Sequence, residues 1–191
     1  MSFLDTPIQK SALSFAKTYH QGQVRKGTKR PYINHCMEVA RIIHKNGYPE
    51  EYVVAALLHD TVEDTEATLE DIRDKFGNDV VEIVKYVTAD MSPNLTWSQR
   101  KIGYIKNLSD APEGSIVVSA ADKLHNITET FEQWIKVGDS VFLIFNAGKE
   151  QQKWYYRSLT DLYFVRSLFF DNRSLIKMTR SINKVLGKMG M

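Results

Sequence analysis

VVAALLHDTVEDT, residues 53–65, decides the fold. Its first six residues are apolar without a polar break, so a helix built from them has no solvent face and belongs in a core. His59, Asp60, Glu63 and Asp64 follow at once. Read as one helix from Tyr52 to Asp64, the stretch pairs His59 with Glu63 and Asp60 with Asp64 at i, i+4, and Asp60 with Glu63 at i, i+3. Burying a lone carboxylate is expensive. A divalent cation removes that cost and makes adjacent His and Asp useful together. The bland alternative is a helix end whose charges face water, and an isolated His-Asp pair does not exclude it.

Two further residues weigh against that alternative. His35 shares a helical stripe with Val39, Ile42 and Ile43, which points it inward; a hydrogen-bonded core histidine is the competing reading. Asp122 follows the apolar run SIVVSAA (115–121), with Asn126 one turn later on its face. Two buried runs that each deliver an acid to one end are harder to explain as solvated helix ends than one.

Helical spacing dominates elsewhere. Ile8, Ala12, Phe15, Ala16 and Tyr19 mark a first stripe. Thr68-Leu69-Glu70-Asp71 reads as a helix start with Asp in the capping-box position, and Gly77 as that helix's end. Residues 97–108, 116–137, 150–170 and 174–185 are expected to be helical. SIVVSAA and VFLIF (141–145) have strand-like composition, but their flanks continue helical patterns and no partner strand is evident, so helix is expected for both. Loops are expected at Gly22–Pro31, Ser92–Asn94 and Asp110–Gly114. The expected architecture is all-α: one compact bundle of about eight to ten helices spanning residues 1–191.

Composition sets the outer bounds. Hydrophobic residues make up 43% and charged residues 25%, and the net charge of +2 gives no bulk argument for nucleic acid. Charge is distributed unevenly: residues 50–82 carry two Lys/Arg against eleven acids, while residues 1–49 carry eight against two. An acidic middle beside a basic segment suits a cation with an anion near it. The single cysteine, Cys36, excludes an internal disulfide, and no apolar stretch reaches membrane-spanning length. A cytoplasmic protein is expected, with no membrane or nucleic-acid partner.

The order His35, His59-Asp60, Asp122 resembles the H…HD…D pattern of the HD-domain phosphohydrolases. HQGQVRKGTKRPYINH (20–35), AALLHDTVEDT (55–65), FGNDVVEIVKYVT (76–88) and ADKLHN (121–126) resemble the hydrolase domain of RelA/SpoT-homologue alarmone enzymes, and FNAGKEQQKWYYRSL (145–159) its small stand-alone members. The similarity covers roughly residues 8–165, with core motifs in 20–130 and helices in 140–188 completing the pocket.

That resemblance implies roles. His35, His59, Asp60 and Asp122 would bind one Mn²⁺, a donor set that suits a mid-row divalent ion. Glu63 and Asp64 would orient or deprotonate the attacking water. Arg25 and Lys26, in the loop before His35, would meet a phosphate-bearing nucleotide, with Lys29 and Arg30 as weaker candidates; Lys101 and Asn126 would also contact substrate. Lys149 is a further phosphate candidate and Trp154 or Tyr155 a candidate to stack on a base, although Trp154, Tyr155, Leu159, Leu162 and Tyr163 read rather as a packing stripe, and His125 as structural. Ser119 and Glu129 depart from the long bifunctional enzymes, which carry Lys and Thr there.

The implied activity is removal of the 3′-diphosphate from ppGpp or pppGpp, giving GDP or GTP and pyrophosphate. The same motifs would serve adenosine alarmones or the 2′-phosphate of NADPH. A nucleotide sensor without catalysis would have no need of the full His/Asp/Glu set. Only 65 residues follow Asn126, and they read as helical, so a chain that degrades alarmone and does not make it is expected.

Overall fold

The apolar run forms a helix enclosed on every side, with Val53 through Leu58 all buried. The computed structural model describes residues 3–191; Met1 and Ser2, the start of the expected 1–191 domain, lie outside the described residues. In chain order the helices are α1 (Pro7–Tyr19), α2 (Ile33–Lys45), α3 (Glu50–Leu58), α4 (Thr61–Asp64), α5 (Leu69–Phe76), α6 (Asn78–Val87), α7 (Trp97–Ser109), α8 (Glu113–Val137), α9 (Lys149–Phe169) and α10 (Arg173–Lys188). No strand occurs among the described residues; Val24 and Pro31 make one isolated bridge across the basic loop. The fold is all-α, as expected.

α3 packs against α1, α2, α6 and α8. Each neighbour supplies a helical stripe: Ala12, Phe15 and Ala16 from α1, Val39, Ala40 and Ile43 from α2, and Val80 and Val84 from α6. α8 is the second central helix. Its residues Gly114 through Asp122 are buried without interruption, so SIVVSAA is a core helix. The crossing with α6 is too tight for a side chain at Gly114, where a Cβ would lie 2.7 Å from Ile83 Cδ1 and 2.8 Å from Tyr52 Cε1. α9 and α10 pack along α8, from Ser119 against Tyr163 to Phe131 beneath Lys188, and α7 joins α6 to α9. The Thr68 capping box is present: Thr68 Oγ1 accepts from the Asp71 N–H at 3.1 Å, and Asp71 Oδ2 from the Thr68 N–H at 2.9 Å.

Two expectations are corrected. Tyr52–Asp64 is not one helix: α3 stops at Leu58, and helical structure resumes at Thr61 as α4. Asp60 sits at φ −98°, ψ −4°, and side chains satisfy the carbonyls that the interrupted ladder leaves, His59 Nδ1 at Ala56 O (2.8 Å) and Thr61 Oγ1 at Leu58 O (2.7 Å). VFLIF is not α-helical. It lies in a 3₁₀ segment, Gly138–Ile144, with Val141 and Phe142 buried and Leu143 exposed. No helix among the described residues is long and apolar enough to cross a membrane.

Candidate active site

α2, the α3–α4 junction and α8 each bring one part of a buried polar cluster. His35 Nε2 lies 3.2 Å from His59 Nε2, 3.3 Å from Asp60 Oδ2 and 3.2 Å from Asp122 Oδ1. His59 Nε2 is 3.0 Å from Asp60 Oδ2 and 3.8 Å from Asp122 Oδ1. Donor atoms spaced this way match neighbouring ligands on an ion bound at about 2.1 Å. The free ring nitrogens are already engaged. His59 Nδ1 donates to Ala56 O, and His35 Nδ1 is 2.8 Å from His125 Nδ1. His59 Nδ1 is committed to a carbonyl, so a proton lost from His59 leaves its Nε2 lone pair facing the cluster, and a His35 Nδ1–H pointed at His125 does the same for His35. His35, His59 and Asp60 each offer a ligand atom within 4.8 Å of the others, a group that fits a divalent metal ion, and Asp122 Oδ1 lies 3.2 and 3.8 Å from the two imidazoles.

Electrostatics agree. Burial alone would raise Asp60, yet the His59 and His35 imidazoles hold it well below the usual carboxylate range. Burial would likewise raise Asp122, but the Lys123 ammonium and the two imidazoles hold it well below. Burial opposes charge on His59, and Asp60 and Asp122 overcome that and raise it well above the ordinary imidazole value. The cluster draws positive charge to its centre.

Beside the cluster lies a cavity of about 470 Å³, within the range of small-molecule sites, which none of the four residues lines directly. A recess of about 140 Å³ at the inner end is lined by Asp60, Glu63, Asp64, Lys101, Asp122, Lys123, Asn126 and Tyr155, among others. Glu63 and Asp64 both face it, as the i, i+3 and i, i+4 spacings suggested. Glu63 Oε2 accepts from the Ala89 N–H at 2.9 Å, and burial with the nearby Asp60 raises its pKa. Asp64 is raised for the same two reasons. The Tyr32 hydroxyl stands 2.8 Å from both Asp60 Oδ2 and Asp64 Oδ2, and its one hydrogen serves either carboxylate.

Most of the expected substrate residues reach the cavity. Arg25 is held there, not free: its Nε and Nη2 donate to Glu129 Oε2 at 3.1 and 2.9 Å, and Nη2 also bonds Asn126. Asn126 in turn bonds Asp122. Lys26 is exposed and lines the outer part, and Lys101 lines both parts with its Nζ 4.9 Å from the Tyr155 ring centre. Lys149 is the exception. Its Nζ pairs with Asp139 at 3.0 Å, and it does not line the cavity. Lys29 and Arg30 are exposed on the loop and do not line it either, although Arg30 Nη1 comes within 3.9 Å of Glu129. Ser119 faces inward, between the hydroxyls of Tyr104 (2.8 Å) and Tyr163 (2.6 Å).

Other lining residues were given no phosphate or metal role from the sequence. Lys123 is half-buried beside Asp122 and faces the recess. Tyr155 is both packed and functional in position: it is buried, lines both parts, and its hydroxyl has no partner. A buried hydroxyl left without a partner is costly, which singles Tyr155 out among the wall residues. Tyr32, three residues before His35 at the N-cap of α2, could have been suspected from that spacing.

The HD domain profile matches residues 12–136. The chain is 41% identical over 128 residues to the guanosine-3′,5′-bis(diphosphate) 3′-pyrophosphohydrolase MESH1 of Xenopus tropicalis, covering 65% of this chain and 70% of that protein. It is 36% identical over 132 residues to the protein of the same name from Danio rerio, covering 68% and 72%. Among solved structures, a metazoan ortholog of SpoT that hydrolyzes ppGpp superposes with a TM-score of 0.76 at 26% identity, covering 97% of each chain.

Proposed function

The chain belongs to the HD domain family, and from that premise we propose that it is a metal-dependent hydrolase that removes the 3′-diphosphate of ppGpp and pppGpp, releasing pyrophosphate. The observation that carries the proposal is the meeting of His35, His59, Asp60 and Asp122 at a recess that Asp60 and Asp122 line together with Lys101 and Lys123, beside a cavity that Lys26 lines. Carboxylates and imidazoles hold the cation; ammonium groups around it receive a polyphosphate. The proposal takes residues 1–191 as one hydrolase domain, with α9 supplying Tyr155 to a site otherwise built by earlier helices.

The ion proposed is Mn²⁺, which mixed imidazole and carboxylate donors suit. When bound, it lowers the pKa of water and polarises a phosphoryl oxygen. The chain's own groups do the rest. Glu63 and Asp64, which line the recess beside the metal residues, orient the attacking water and take its proton. Tyr32 holds Asp64 toward Asp60. Lys101 and Lys123 offset charge on the departing pyrophosphate, and the Tyr155 hydroxyl donates to it. Asn126 links Asp122 to Arg25 and so ties the metal floor to the nucleotide wall.

The test is a parallel assay of ppGpp, pppGpp, ppApp and NADPH with Mn²⁺, using wild type and Asp60→Ala. The expected result is pyrophosphate release from the guanosine substrates by wild type alone. Turnover of NADPH only would overturn the substrate, and equal activity in both proteins would overturn the site.

A further inference from the structure

The outer end of the cavity has a different character from its floor. Ile127, Phe142, Phe145, Tyr156 and Met191 line it and do not line the metal recess. Thr130, which lines the same outer part, lies eight residues beyond Asp122 on α8, or about 12 Å along the helix axis. Met191 is the unexpected member. It comes from the turn after α10, which no functional motif touches, and it is 3% exposed.

That turn is built to deliver the side chain. Gly190 has φ +70°, and the Met191 N–H donates to Leu186 O at 3.0 Å, which together make the Schellman closure of a helix. From α9, Arg157 Nη2 donates to Met191 O while its Nη1 donates to Asn183 Oδ1 at 3.0 Å. Two helices thus pin the backbone, and Met191 forms part of the cavity wall.

We propose that Met191 closes a nucleobase-binding end of the cavity. The cations and carboxylates at the floor suit phosphate and metal, so the flat apolar part of the ligand belongs opposite them. A methionine sulfur packs favourably against an aromatic ring, and its flexible chain adapts to the ring's edge. Gln133, Asn146 and Gln152 line the same end and offer hydrogen bonds to a base. This assignment rests on the nucleotide reading above but not on the reaction.

The experiment is calorimetric binding of GMP, and of inorganic pyrophosphate, which has no base, to the manganese-loaded full chain. Met191→Ala is expected to weaken GMP about 3- to 10-fold and to leave pyrophosphate unchanged, with Met191→Leu restoring most of the loss. Arg157→Gln, which frees the turn from outside the cavity, is expected to weaken GMP in the same selective way and serves if Met191→Ala melts early. Equal weakening of both ligands, no weakening of either, or a wild type that does not bind GMP overturns the proposal. Selective weakening of GMP in a protein that releases no pyrophosphate from ppGpp would sustain it while sinking the proposed reaction.

Discussion

At the floor of the site, His35, His59, Asp60 and Asp122 are largely buried, and His35 Nε2 lies within 3.3 Å of a polar atom of each of the other three. At the mouth, Lys26 is exposed, Arg25 is tied to Glu129, and the walls come from the basic loop, the 3₁₀ segment, α9 and the turn after α10. The floor is set by three rigid elements that share the main core. The mouth is set by the packing of later elements onto α8. A residue at the floor has few alternatives, because a buried charge without its partners is costly. A residue at the mouth can change with a fractional loss of affinity. The reaction therefore belongs to the floor and selectivity to the mouth.

The largest effect expected is that of Asp122→Ala. Both tight manganese binding and pyrophosphate release should fall to background, read by calorimetry and by turnover; a variant that keeps either would erase the contrast. Glu63→Gln comes next. It should cost about 10²- to 10⁴-fold in turnover while one manganese ion still binds, which separates the base from the ligands. His125→Phe removes the acceptor for His35 Nδ1 and should weaken manganese about 10- to 100-fold, with His125→Gln recovering part of it. The pH dependence sharpens the same end. His59 is raised well above the ordinary imidazole value by Asp60 and Asp122 and must lose its proton to bind the ion. Manganese affinity should therefore keep rising above pH 6.5, by about tenfold per unit while one proton is displaced. A titration that is flat from pH 6.5 upward would contradict this. Smallest is Lys149→Ala: with Lys149 on Asp139 and outside the lining, the KM for ppGpp should stay within about twofold.

The same contrast governs what was legible in the sequence. His59-Asp60 and Asp122 could be read because each ends an apolar run, and such runs can be buried only one way. The break at His59-Asp60 could not, since the spacing of VVAALLHDTVEDT continues through it and only side-chain bonds from His59 and Thr61 reveal the interruption. Tyr155 was legible as packing but not as a cavity donor, because its unpaired hydroxyl appears only once α9 lies against α8. Lys149 looked like a phosphate residue, and the 3₁₀ segment instead brings Asp139 to it. Glu129 was visible as a departure from the long enzymes; that it holds Arg25 required the loop and α8 side by side. Lys123 and Met191 had no local signal at all.

The central claim is that one divalent ion on His35, His59, Asp60 and Asp122 drives pyrophosphate release. Titrating Mn²⁺ into metal-free protein while measuring pyrophosphate from ppGpp tests it most directly. Activity should rise to a plateau at one equivalent of ion per chain and stay at background throughout in Asp60→Ala. Full activity without added metal in a chelator, or an unchanged titration in Asp60→Ala, would contradict it.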